Sequence, residues 1–489
     1  MKILFVYMGA ENLGVEYLAS VVRASGHEAD LAFDPAIFSG HLMWDVPALA
    51  KRFDLRPRII ERVRNEKPDI VAFSCFTGNY LWALSIACEI KKINSDIKNI
   101  FGGVHVTAVP ERVIAEDAVD GVALGEADAV FTRMCEAVVK PIGAEAPAGV
   151  WIKSGGEIIR GPDPKLPVDL DSLPFPAKDL FYCRVPALQS EYMIMTARGC
   201  PYNCTYCYKS LSAFSPPGQN PIRRRSVENV IGELEAAIKA WNVKMVVFRD
   251  DVFTLQKKWL REFTAEYRSK IGLPYFCYTH PAALDAESAD LIKEGGCSYV
   301  TIGIQSADEE QRRVALNRHY TNEQALRTVA LLKERKIVVS ADHIIGLPGD
   351  TSENLRSAIA LYNEMRPERL LTFWLTYYPG TEIMDKALEA GLIMQADKER
   401  IESGQGGHRY SGGGASGINA VLMRFPVFFA LVPLLKPGTI RWLLKRNFEK
   451  YCPSFFAAHN ILLFLNAVRT RDPFFFYNIK YFLSRKRIP

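Results

Sequence analysis

Cys200-Pro201-Tyr202-Asn203-Cys204-Thr205-Tyr206-Cys207 sets three thiols at C-x3-C-x2-C spacing, in a loop opened by Arg198-Gly199. Iron–sulfur clusters take thiolate ligands, and a local run of closely spaced cysteines wraps one easily. Three thiolates hold three irons of a [4Fe–4S] cube and leave the fourth without a nearby protein ligand. A structural zinc site normally shows paired C-x2-4-C units with further Cys or His partners, and no second pair lies downstream here. The triplet is read as a [4Fe–4S] site with one open iron.

Around this loop the chain is long enough for two to four domains. Its 489 residues are 48% hydrophobic and 24% charged, ordinary for a globular protein with a large core. The ten cysteines show no regular disulfide pattern. Cys75, Cys88, Cys135, Cys277 and Cys297 sit in apolar or helical contexts typical of buried free thiols, which points to a reducing compartment. The chain runs directly into an apolar strand, Lys2-Ile3-Leu4-Phe5-Val6-Tyr7, so no secretory leader is read and a cytoplasmic location is expected.

In the first 140 residues apolar strand-like runs at 3–7, 28–33, 69–74, 98–101 and 121–124 alternate with amphipathic helical patterns at 13–24, 57–65, 82–93 and 128–138. That alternation predicts a Rossmann-like parallel α/β sheet. Ligands of such sheets bind beyond the carboxyl ends of the strands. Ser74, Gly102-Gly103-Val104-His105 and Gly125-Glu126 fall there. No G-x-G-x-x-G follows the first strand, which argues against a dinucleotide. Residues 141–190 are rich in Pro and Gly and are read as a linker. From 191 to 385 a second alternation begins, with strands at 192–196, 245–249, 275–278, 299–304, 338–344 and 370–375. Six βα units predict a partial barrel with its site at the carboxyl ends of the strands.

The Ala197-Arg198-Gly199-Cys200 lead-in, the thiol triplet with Tyr206 before its last cysteine, and the apolar 192–195 strand resemble the radical S-adenosylmethionine (SAM) superfamily. The resemblance continues through Arg249-Asp250-Asp251, Gly303-Ile304-Gln305-Ser306, Arg318, Ile345-Gly346-Leu347-Pro348-Gly349 and Tyr378-Pro379-Gly380-Thr381, in the family's order. It implies that the open iron chelates SAM, whose reductive cleavage gives a 5′-deoxyadenosyl radical. Tyr206, Asp250, Asp251, Gln305, Ser306 and Arg318 are the SAM-binding candidates it carries over. Gln305 departs from the family's Glu, keeping an acceptor and losing a charge. Asp250 and Asp251 stand as alternatives for the SAM amino group, since a carboxylate suits an ammonium. His280 and His343, near strand ends, stand equally as acid–base or structural groups.

The first third resembles the cobalamin (B12)-binding domain that precedes the barrel in one large group of this superfamily. The matching residues are Ser74, Gly102, Gly103, His105 and Glu126. No D-x-H-x-x-G follows the first strand, so the resemblance implies cobalamin without a histidine below cobalt. A flavodoxin-like domain that only packs against the barrel is the alternative.

Residues 386–489 form a Gly-rich linker, dense between 403 and 417, and a basic, aromatic helical tail. Residues 441–489 hold ten Lys/Arg and two Asp/Glu, a local balance of +8 in a chain of net +5. Basic residues beside aromatic faces suit the inner membrane face as peripheral contact. A cap packed on the barrel is the competing reading. No RNA-binding module is recognised, so no nucleic-acid partner is expected.

Together the resemblances imply a cobalamin-dependent radical SAM enzyme, a methyltransferase acting on an unactivated carbon after hydrogen abstraction by the 5′-deoxyadenosyl radical. A reductase, flavodoxin or ferredoxin would supply the electron, and an apolar small molecule or lipid would be the substrate. The alternatives are an oxidative cyclase resembling the anaerobic magnesium-protoporphyrin ester cyclases, and a non-catalytic iron–sulfur membrane-associated protein.

Overall fold

The computed structural model describes residues 1–37, 47–140, 145–405, 421–453, 456–470, 472 and 477–484. Strands β1 (Lys2–Met8), β2 (Glu28–Asp34), β3 (Ile70–Ser74), β4 (Lys98–Gly102) and β5 (Gly121–Ala123) pair in parallel in the order β2-β1-β3-β4-β5. Ile3, Leu4, Ile70 and Val71 are fully buried, as expected where helices cover both faces of a parallel sheet. The helix Leu13–Ala24 starts where the Asn12 side chain accepts from the Val15 N–H, and it carries Arg23 in its last turn.

Residues 150–160, expected within the linker, instead extend this sheet. β6 (Val150–Ser154) joins β5 antiparallel and β7 (Glu157–Arg160) closes a hairpin on it. The turn residues Gly155 and Gly156 have φ of 58° and 86°, the left-handed pair of a type I′ turn. A Gly-Gly flanked by apolar runs is a hairpin signature that the Pro/Gly-rich composition of the region obscures.

The second sheet is wholly parallel. It consists of β8 (Glu191–Ile194), β11 (Met245–Phe248), β12 (Tyr275–Thr279), β13 (Cys297–Gln305), β14 (Val338–Ile345) and β15 (Arg369–Trp374) in that spatial order. Between β8 and β11, β9 (Ala197–Arg198) and β10 (Arg223–Arg224) pair antiparallel and bracket the thiol loop. The covering helices are locally well specified. Val227–Ala240 is capped by Ser226, and Asn322–Glu334 has a Thr321/Gln324 capping box.

The C-terminal region packs onto both sheets. Phe425, Phe428 and Phe429 are fully buried, and Phe429 stacks on His343 with centroids 4.7 Å apart. Burial of three such rings contributes several kcal/mol. Tyr481 is also fully buried, sits against Phe33 of β2 and accepts a hydrogen bond from the Glu11 N–H. These contacts fit the cap reading of the tail. The Gly-rich residues 406–417 and the basic end Arg485-Lys486-Arg487 lie outside the described residues. No helix among the described residues is long and apolar enough to cross a membrane.

Candidate active site

A cavity of about 340 Å³ lies between the carboxyl ends of β1, β3, β4 and β5 and the residues that flank the thiol loop. Ser74, Gly102, Gly103 and Glu126 line it from the first domain. Met195, Arg198 and Lys209 line it from the second. Gly103 has φ of 98°, and a Cβ there would meet the Cys75 carbonyl oxygen at 2.5 Å. Only glycine lets this turn pass so close to the neighbouring strand end.

His105 does not join the lining. It sits in the short helix Val104–Ala108, 1% exposed, with its ring 4.5 Å from that of Tyr80 and Nδ1 3.2 Å from the Thr77 hydroxyl. Burial pushes its pKa down to about 4, so it is a neutral packing group. Glu126 lines the cavity but is already engaged. Its carboxylate accepts from Arg198 at 3.0 Å and from Arg223 at 2.6 and 2.9 Å. Asp128 accepts from the same Arg198 Nη1 at 2.6 Å and from Nη2 at 3.1 Å. These ion pairs brace the first sheet against both strands that bracket the thiol loop.

Within the loop, Cys200 and Cys207 are partly exposed and Cys204 is buried. The Cys207 N–H donates to the Cys204 carbonyl at 3.0 Å, closing a tight turn. The loop is laced to the segment after β13. Thr205 donates from its hydroxyl to the Ala315 carbonyl (2.6 Å) and from its N–H to that of Leu316 (3.2 Å). Asn317 donates to the Asn203 carbonyl at 2.9 Å. Arg318 is 7% exposed and donates to the Gly303 carbonyl at 2.6 Å, the Tyr206 hydroxyl at 3.2 Å and Cys204 Sγ at 3.5 Å. Burial pushes the free Cys200 and Cys207 thiols up to about 12 and about 11. Among the described residues no three His, Cys, Asp or Glu side chains converge as on a single ion. A cube takes each thiolate at its own corner, so this local, partly buried triplet beside a guanidinium fits a cluster better than one metal ion.

The structure separates the SAM-binding candidates. Asp250 is 1% exposed and accepts from the Thr196 N–H (2.6 Å), the Ala197 N–H (3.2 Å) and the Thr196 hydroxyl, with Arg224 at 3.8 Å. It is engaged in holding the lead-in to the loop. Asp251 is exposed and pairs with Lys209 at 3.2 Å, leaving it the accessible carboxylate of the two. Ser306 is likewise engaged, donating to Gln311 at 2.6 Å and accepting from the Asp308 N–H at 3.1 Å. Gln305 has φ of 69° at a register shift between β13 and β14, a strained backbone of the kind that clusters at functional sites. A Cβ at Gly303 would lie 2.5 Å from Gln305 Nε2, so the glycine makes room for that carboxamide.

His280 at the end of β12 stacks on Tyr202 of the thiol loop at 4.0 Å. Its Nδ1 accepts from the Ala282 N–H, and its buried Nε2 has no partner among the described residues. Burial and the Arg318 charge hold its pKa at about 2, so the ring is neutral and Nε2 carries a donor proton. His343 is a packing group, its Nδ1 at 3.1 Å from the Tyr362 hydroxyl. Sequence reasoning did not single out Arg223-Arg224-Arg225, although three successive arginines were a visible signal. Each reaches a different carboxylate: Arg223 meets Glu126, Arg224 lies near Asp250, and Arg225 meets Glu233 at 2.6 Å.

Comparison with known proteins follows the same division. The radical SAM superfamily model matches residues 194–362, and the B12 binding domain model matches residues 6–134. The chain carries a radical SAM domain. Its first domain is a B12-binding domain. It is 28% identical to an uncharacterised methyltransferase of Pyrococcus horikoshii over 78% of this chain and 79% of that one. It is 26% identical to the anaerobic magnesium-protoporphyrin IX monomethyl ester cyclase of Rubrivivax gelatinosus, over 78% and 68%. Among solved structures, it shares its fold with the radical SAM methyltransferase TsrM of Kitasatospora setae, determined with cobalamin and a [4Fe–4S] cluster bound. That match has a TM-score of 0.63 at 17% identity and covers 81% of this chain and 77% of the other.

Proposed function

We propose that this radical SAM enzyme is a cobalamin-dependent methyltransferase acting on an unactivated carbon. The observation that carries the reading is a cavity lined both by the strand ends of the B12-binding domain and by Arg198, Tyr208 and Lys209, which flank the thiol loop on either side. When bound, the [4Fe–4S] cluster, SAM and cobalamin supply hydrogen abstraction and transfer of a methyl group to carbon.

The chain's own part is placement and exclusion of water. Cys200, Cys204 and Cys207 would hold the cluster, with Arg318 as a charged donor beside Cys204. Asp251, Gln305, Arg318 and Tyr206 are the groups proposed to address SAM, while Asp250 would hold the Thr196–Ala197 lead-in and Ser306 the turn at Asp308. The Nε2–H of His280 offers one further donor on the barrel side of the loop. Ser74, Gly102 and Gly103 would flank cobalamin, and the Glu126–Arg198–Arg223 brace keeps both halves of the cavity closed on each other. A closed site strengthens these polar contacts and shields a radical from solvent. A reduced electron donor is required by radical SAM chemistry.

The test is anaerobic reconstitution with iron, sulfide and hydroxocobalamin, followed by metal analysis and by incubation with SAM and reductant. Near-stoichiometric cobalt beside about four irons, with S-adenosylhomocysteine formed as well as 5′-deoxyadenosine, is the expected result. Iron without cobalt overturns cobalamin dependence. 5′-Deoxyadenosine without S-adenosylhomocysteine favours the cyclase reading, which the Rubrivivax relative supports.

A further inference from the structure

The helix Phe456–Thr470 turns its polarity inside out. Ile461, Phe464, Leu465 and Val468 follow i, i+3, i+4, i+7 spacing and so form one stripe, and they are 42–59% exposed. The buried side of the same helix carries His459, Asn460 and Asn466 along with Leu463 and Ala467. His459 Nε2 meets the Thr372 hydroxyl of β15 at 3.4 Å. A helix that merely capped the barrel would place its leucines inward and its asparagines outward. Nearby in sequence, Trp442, Tyr451 and Leu483 are 57%, 77% and 73% exposed.

The exposed charges that the tail itself carries have one sign. Among the described residues from 421 onward the acidic side chains are Glu449 and Asp472, 4% and 0% exposed. Each is paired with a barrel arginine, Glu449 with Arg356 at 3.0 Å and Asp472 with Arg369. Lys436, Arg441, Lys445, Arg446, Lys450 and Arg469 are exposed. The surface charge of the tail is therefore positive throughout its described part, and the sequence adds Arg485-Lys486-Arg487 two residues past Leu483.

We infer that this C-terminal face docks on an anionic lipid surface, with the Ile461–Phe464–Leu465–Val468 stripe entering the acyl boundary and the basic side chains meeting the headgroups. An apolar stripe with basic flanks and aromatic side chains is what interfacial binding requires. The charge decides the occupant: a second copy of this chain would bring an equally positive face against it. The inference rests on the tail alone and stands or falls independently of the methyl-transfer reading.

The test is co-sedimentation of the reconstituted full chain with vesicles of phosphatidylcholine alone and of phosphatidylcholine with phosphatidylglycerol, at low and high salt. Binding is expected to the anionic vesicles only and to weaken with salt. Leu465→Glu with Val468→Glu is expected to lower the partition coefficient at least about tenfold. Arg441→Gln with Lys445→Gln is expected to lower it about thirtyfold, the loss of two surface charges. All four positions are exposed, so melting temperature and iron content should match the parent, which separates loss of docking from loss of fold. Failure of the parent chain to bind anionic vesicles overturns the inference. So does binding that neither double variant weakens. A dimer in solution that Leu465→Glu with Val468→Glu converts to monomer, without vesicle binding, assigns the stripe to a second copy instead.

Discussion

Gly199, the residue before the first cluster cysteine, has φ of 87°, and a Cβ built on it falls 1.7 Å from the Pro221 carbonyl oxygen. Gly391 has φ of 66° with nothing within 4 Å of its Cβ position. Both glycines are in the left-handed region, where a side chain costs about 1–2 kcal/mol. Gly391→Ala should cost that and no more. Gly199→Ala adds an overlap with main chain that no side-chain rotation relieves, so the Pro221 segment must move by more than an ångström. That segment leads into β10, which pairs with β9 and carries Arg223 to Glu126. Losing part of this pairing and its buried ion pair brings the expected cost to about 4 kcal/mol or more. Anaerobic reconstitution with iron quantitation and a thermal melt of each variant measures it. Gly391→Ala should load about four irons and melt a few degrees low at most. Gly199→Ala should load less than half as much and melt well below. Equal iron and equal melting temperature for the two variants would refute the claim that backbone crowding at Gly199 shapes the loop.

Glu126→Ala leaves the guanidinium of Arg223, 6% exposed, without its carboxylate, while Arg198 keeps Asp128. It should cost about 3–5 kcal/mol in a denaturant melt, and a loss under 1 kcal/mol would show that water replaces the brace. Lys178 is 3% exposed and bridges Glu11 at 2.8 Å and Glu16 at 2.7 Å. Lys178→Met should destabilise by a similar amount, and adding Glu11→Gln and Glu16→Gln should recover much of it; no recovery would refute the charge argument. Asp350 accepts from the N–H groups of Gly346 and Leu347, yet burial raises its pKa to about 6 from 3.8. The folded state therefore holds its proton more tightly than the unfolded one, so this group's contribution to stability falls as pH rises from about 4 to about 6. In Asp350→Asn that part of the pH slope should vanish, and an unchanged slope would discount the shift.

Much of the fold was legible because the two periodicities are strong. The helix Leu13–Ala24 and the strand core of both sheets follow from alternating apolar runs with a visible cap at Asn12. The hairpin Val150–Arg160 was legible in principle, from Gly155-Gly156, but its surroundings read as linker. The tail was ambiguous for a physical reason. Phe425–Leu431 and Phe456–Thr470 are both apolar helices, and which faces are buried depends on what the barrel presents to them.

The site divides along the same line. By itself the sequence determined the thiol triplet, the order of strand-end motifs and the pair of α/β units, because cluster ligation and parallel sheets need only local spacing and local periodicity. Only the tertiary structure decided which polar residues remain available. Asp250 and Asp251 are neighbours of identical chemistry, and one is buried under Thr196 and Ala197 while the other faces Lys209. Glu126 and Arg223 lie 97 residues apart and His105 directly follows the lining residue Val104, yet the glutamate is engaged as a brace and the histidine is packed against Tyr80. Burial and long-range pairing set those roles, and neither is encoded in the spacing of residues along the chain.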